Sequence, residues 1–139
     1  MLSLVPHEDD PIVLSVIKIC RIVDRVLIDQ GSSTDVMFRE TFIRLQIPMD
    51  LLQPFDRVLV GFFGEQVEVI GYADLKTTFR DDSAAKTIMV RYIVVNAPSS
   101  YNLLLGRPST NKLGAVVSTT HLKMKFPTDE GKVVTMTVN

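Results

Sequence analysis

Apolar residues recur along this chain in short bursts with a two-residue period, and glycine, proline, asparagine and aspartate sit between the bursts. Such alternation marks half-buried strands, whereas helices need a period of 3.6 residues. Residues 11–19 (PIVLSVIKI) are rich in β-branched side chains and predict one strand. Asp24 and Arg25 turn the chain into a second strand, residues 26–28, and a loop of small residues follows over 29–34. Residues 65–70 (EQVEVI) alternate cleanly, and residues 73–79, 87–95, 121–126 and 133–138 predict further strands. Leu103, Leu104 and Leu105 are wholly apolar, as expected of a buried strand.

Two segments read as helices. Val36, Met37, Ile43 and Leu45, with Phe38 and Phe42 between them, fit a short amphipathic helix. Ser33 or Thr34 would cap it, Asp35 would lie in its first turn and Pro48 would end it. Pro108 suits the first turn of a second helix running to about Leu113, with Gly114 as its stop. Gly61, Phe62, Phe63 and Gly64 stand between two strands and read as a long hairpin with aromatic residues at its tip. The sum is an all-β (mainly β) chain with one or two short helices.

Composition narrows the classes of function. A chain of 139 residues fits one domain and buries roughly two thirds of its unfolded surface. An apolar content of 46% suits a large core or a subunit interface equally. Fifteen basic residues against sixteen acidic ones leave a net charge of −1. The basic residues are scattered, so nothing here favours nucleic acid, whose affinity comes from neutralised phosphates. No apolar run approaches the length of a membrane span. Cys20 is the single cysteine, which rules out an intrachain disulfide, and its place in an apolar run reads as a small buried side chain. The two histidines, His7 and His121, are far apart, so zinc spacing and a Ser-His-Asp set both lack support. No metal or cofactor is called for. The first ten residues lack the basic start of a signal peptide and read as a polar leader, or as a boundary inside a longer polyprotein.

The chemistry concentrates in residues 25–34 (RVLIDQGSST). An apolar strand ends in a carboxylate, Asp29, followed by Gly31 and the hydroxyl residues Ser32, Ser33 and Thr34. A carboxylate held at a strand end, with a glycine giving room for close backbone approach, suits the activation of water. Residues 103–108 (LLLGRP) supply a second element about 75 residues on. The Asp element occurs once, so an enzyme needing two such carboxylates must be a dimer.

Residues 26–33 (VLIDQGSS) resemble the active-site element of retropepsins, Asp-Thr/Ser-Gly-Ala/Ser, and are most similar to the protease segment of gypsy-type LTR retrotransposon polyproteins of plants. The resemblance extends to residues 9–13 (DDPIV) before the first strand, to 60–64 (VGFFG) as a flap, to 101–108 (YNLLLGRP) and to the tail at 115–127. It implies a six- or seven-stranded closed barrel of the acid-protease type over residues 11–128, preceded by a loose leader over 1–10 and followed by a C-terminal strand or tail over 129–139. It further implies a homodimeric aspartic endopeptidase that matures a retroelement polyprotein in an intracellular, cytoplasmic particle. Asp29 would be the catalytic acid and base, contributed once by each subunit. Gln30, Gly31, Ser32 and Ser33 would shape the loop, and Gly106 and Arg107 would support it. Gly61, Phe62, Phe63 and Gly64 would close over an extended peptide.

Two residues depart from the family pattern. Gln30 replaces the usual Thr or Ser, whose hydroxyl bonds across the dimer axis. Ser33 stands where retroviral relatives often carry an Asp that pairs with the arginine matching Arg107, so Arg107 needs another partner, a backbone carbonyl or a carboxylate. Gln30 keeps open a second reading, a catalytically silent retropepsin fold used for dimerisation or peptide binding. Phe62 and Phe63 also suit a hairpin base, and the clusters Asp81-Asp82 and Glu8-Asp9-Asp10 read as solvated turns. Ser32 and Ser33 lack both a nearby histidine and a Gly-x-Ser-x-Gly frame, which disfavours a serine hydrolase.

Overall fold

The computed structural model describes residues 10–55, 59–60, 66–118, 120 and 123–137. Eleven strands, two short α-helices and one 3-10 turn occupy these residues. The first strand pair is a hairpin, β1 (Ile12–Val16) against β2 (Ile19–Val23). The single strand expected over 11–19 is thus broken in two. The break lies at Ile17, which adopts a φ of 57° and is exposed. A β-branched residue in the left-handed region is rare, and no Gly or Asn advertises this turn.

β3 (Val26–Ile28) and β4 (Asp35–Phe38) flank β8 (Leu103–Leu105), the first parallel to it and the second antiparallel. All four residues of β4 are buried, because it runs inside the sheet between β8 and β7 (Ala85–Asn96). The helix expected from residue 36 therefore starts three residues later, as α1 (Arg39–Arg44), with Phe38 at its N-cap and no side-chain cap bond. Tertiary pairing overrides local periodicity here, since a strand buried on both faces has no polar alternation to show.

β5 (Leu59–Val60) pairs with β6 (Gln66–Arg80), which joins the two strands expected over 65–79 into one of 15 residues with a register shift between Val69 and Gly71. The main sheet runs β2-β1-β6-β7-β4-β8-β3. It curls as a half-barrel and, with only two helices, gives the mainly-β architecture expected. α2 (Arg107–Leu113) starts with Pro108 in its first turn and ends at Gly114. Gly114 has φ 66°, the left-handed stop for which glycine carries no Cβ penalty.

A second sheet of three strands, in the order β11-β10-β9, comprises β9 (Val116–Ser118), β10 (Lys123–Pro127) and β11 (Val133–Thr137). Met124, Phe126, Val134 and Met136 alternate inward and join the main core with Leu14, Phe79 and Leu105. The outer edge of β11 is not left bare. The Thr135 amide donates to Asp81 Oδ2 and the Thr137 amide to Asp10 Oδ2, both at 2.8 Å. Asp81 also accepts from the Ser83 amide and hydroxyl and from the Ala84 amide. The Asp81-Asp82 cluster is thus more than a solvated turn, because one of its carboxylates is a structural acceptor. Cys20 corrects the sequence reading as well. It is exposed, because its register partner is Ser15 on the outer face of the hairpin.

Candidate active site

The two faces of the β3-β8-β4 sheet carry different cargo. Val26, Leu103, Leu105 and Met37 enter the main core. Leu104, Val36 and Phe38 enter a second apolar cluster, against which Leu27 and Tyr101 pack half-buried. Strand alternation places Asp29 on the side of Leu27, beside that second cluster. Asp29 itself is half-buried. Its amide donates to the Leu105 carbonyl at 2.8 Å and so extends the β3-β8 ladder by one residue.

The loop from 29 to 34 then crosses over the end of β8, and its own small residues hold its shape. Asp29 Oδ1 accepts from the Gly31 amide at 2.9 Å, and the Ser32 amide donates to the Asp29 carbonyl at 3.1 Å. The Ser32 hydroxyl donates to the Thr34 carbonyl at 2.8 Å. Gln30, Gly31 and Ser33 are exposed.

Gly106 lies directly beneath the crossing. A Cβ at this position would stand 2.4 Å from the Thr34 carbonyl oxygen and 2.6 Å from that of Ser32, both backbone atoms. Only glycine fits where two backbone segments pass this closely. Arg107 grips the same loop twice. Its amide donates to the Ser32 carbonyl and its Nη1 to the Gln30 carbonyl, each at 3.0 Å. Of the two partners the sequence left open for Arg107, the structure supplies the backbone carbonyl.

Asp29, Gln30, Gly31, Ser32, Gly106 and Arg107 are thereby brought together, with Ser33 on the exposed shoulder of the loop. The flap residues Gly61, Phe62, Phe63 and Gly64 lie outside the described residues. Among the described residues no group of three His, Cys, Asp or Glu side chains converges to hold a metal ion.

Sequence reasoning missed Asp35. It opens β4 with its side chain turned to the main core and is only 3% exposed. Its Oδ1 accepts from the Gly106 amide and its Oδ2 from the Ser109 hydroxyl, both at 2.8 Å. Burial pushes its pKa above the ordinary carboxylate value, and these two hydrogen bonds work in the opposite direction. The signal in the sequence was an acidic residue followed directly by three apolar ones, which suits a central strand better than a helix start.

No family model matches this sequence, and no curated protein matches it. Solved structures do. The retroviral protease-like domain of Ddi1 from Leishmania major superposes with a TM-score of 0.61 over 92% of each chain at 16% identity. EIAV protease, complexed with the inhibitor HBY-793, superposes with a TM-score of 0.53 over 85% of this chain and 99% of the viral one at 18% identity. The fold of this chain is that of the retroviral protease-like domains.

Proposed function

We propose that the chain is a retropepsin-like aspartic endopeptidase, active as a homodimer in which each subunit lends one Asp29. The observation that carries this reading is the position of Asp29. It ends a strand, lies half-buried beside an apolar cluster, and sits in a loop locked by Leu105, Gly106 and Arg107. One such loop exists per chain, so the second carboxylate comes from a second copy.

Two carboxylates in contact do not both ionise readily and share one proton. The ionised partner takes a proton from a bound water, which attacks the scissile carbonyl. The protonated partner polarises the carbonyl oxygen and then protonates the leaving amine. No covalent intermediate or metal is required. An extended peptide would lie along the apolar cluster, its alternate side chains entering pockets beside Leu27 and Tyr101. Residues 61–64 would close over it as a flap. The resemblance to plant gypsy-type elements points to a retroelement polyprotein as substrate, processed in a cytoplasmic particle.

Gln30 favours a second reading, a silent dimerisation or peptide-binding module. Cleavage assays separate the two. The purified dimer, offered extended apolar peptides over pH 3–7, is expected to cleave them. A statine-type inhibitor should block the reaction, and Asp29→Ala should abolish it. The rate should fall faster than linearly with protein concentration below the dimer dissociation constant. No cleavage by a verified dimer anywhere in that range would establish the silent module instead.

A further inference from the structure

We infer that Asp35 is a positioning residue for the Asp29 loop, acting through Gly106 and Ser109 in place of an acidic partner for Arg107. The inference rests on the protease reading above and names the part of the scaffold that sets the geometry of that site.

Both oxygens of this carboxylate are committed, and to two different parts of one segment. Oδ1 takes the backbone of Gly106 and Oδ2 the side chain of Ser109, one turn along α2. This segment is the one that touches the active-site loop. Gly106 packs against the Ser32 and Thr34 carbonyls, and Arg107 bonds the Ser32 and Gln30 carbonyls. Asp35 follows Thr34 directly, so it fixes the exit of the loop to the platform that the loop crosses. The entry is fixed separately, by the Asp29 amide on the Leu105 carbonyl. Entry, crossing and exit are each tied to residues 105–109.

Burying a carboxylate is costly unless its acceptors are satisfied. The donors that satisfy Asp35 carry no formal charge, and Lys112 adds only a weaker attraction, so the arrangement is chiefly a matter of hydrogen-bond geometry. Asparagine reproduces most of that geometry. Its amide oxygen accepts from the Gly106 amide and its NH2 donates to the Ser109 hydroxyl, which accepts as well as donates, and only the acceptor facing the Ser109 amide is lost. Alanine reproduces none of it. A clamp built on hydrogen bonds therefore tolerates Asp35→Asn and fails with Asp35→Ala.

The test compares the full-length wild-type chain with Asp35→Ala, Asp35→Asn and Ser109→Ala. For peptide cleavage, Asp35→Ala should lower kcat about tenfold to hundredfold with KM within about twofold, since displacing a reacting group by an ångström costs about hundredfold. Asp35→Asn should stay within about threefold of wild type, and Ser109→Ala should fall between. Amide hydrogen exchange gives a second readout that needs no catalysis. Asp35→Ala should accelerate exchange at Asp29, Gly106 and Arg107 together, and Asp35→Asn should restore protection at all three. The inference is overturned if Asp29 and Arg107 keep wild-type protection in Asp35→Ala. It is equally overturned if Asp35→Asn is as impaired as Asp35→Ala. Should Asp35→Ala not fold, Ser109→Ala against Asp35→Asn decides by the same two readouts. A wild-type chain that cleaves nothing would end the protease reading, and the exchange pattern would still decide the clamp.

Discussion

The Arg107 guanidinium donates to the Gln30 carbonyl at 3.0 Å, so the residue after Asp29 is held by its backbone. The side chain of Gln30 is exposed and plays no part in that bond. Arg107→Met removes the charge-assisted bond and keeps much of the aliphatic stem. Thermal denaturation should show a drop of a few degrees, and kcat should fall about tenfold with peptide KM little changed. A variant with wild-type kcat would show that the loop holds its shape without this bond.

Freedom of the Gln30 side chain leads to a gain-of-function expectation. A long flexible amide costs more conformational entropy to fix across a two-fold axis than a short hydroxyl side chain. Gln30→Thr should tighten the dimer and raise kcat, by about threefold to tenfold on a cost of about 1 kcal/mol. Sedimentation equilibrium and steady-state kinetics read the two effects separately. Weaker association in the variant would mean that Gln30 itself makes the bridging contact.

Gly106→Ala offers a harsher perturbation. Its methyl group would meet two backbone oxygens well inside contact distance, and backbone cannot swing aside as a side chain can. A loss of about 3 kcal/mol or more is expected from such overpacking, read as a lower urea midpoint at an unchanged slope. Cleavage should disappear along with it, because the loop carrying Asp29 has to move.

Two hydrogen-bonded carboxylates, Asp81 and Asp35, should give opposite pH signatures. Hydrogen bonds from the Thr135 amide first, then from Ser83, hold Asp81 well below the usual carboxylate range. Its contribution to stability is complete above the unfolded value of about 4 and is lost as pH falls through the folded one. Asp81→Asn should destabilise at neutral pH, and its deficit should shrink in acid. Asp35 behaves inversely, because burial raises its pKa. The folded state then holds the proton more tightly, and stability falls as pH rises from about 4 through the raised value. Relative to wild type, Asp35→Asn should gain as pH climbs from 3 to 7. Urea midpoints across that range check both slopes, and a parallel shift of the two variants would contradict the assignment.

Much of the local arrangement around Asp29 was legible in the sequence because its requirements are local. A strand ending in Asp29, a glycine, and hydroxyl residues that bond their own backbone can all be read from one short segment, as can Pro108 and Gly114 at the ends of α2. The errors arose where long-range pairing set the outcome. Residues 35–38 read as helix because burial on both faces erased their alternation. Ile17 concealed a turn that its residue type disfavours. Cys20 looked buried because an edge strand presents an apolar outer face to solvent. Asp35 was read as a helix-start acid, since its partners lie 71 and 74 residues away.

The carboxylates on the outer rim of β11 have a consequence for assembly. An incoming strand needs amide donors and carbonyl acceptors in register, and at Thr135 and Thr137 the donors are already occupied by Asp81 and Asp10. A newcomer would present its carbonyls to negative oxygens. The C-terminal ribbon is therefore terminated on that flank. Strand addition on that flank would first have to displace both carboxylates from their amides.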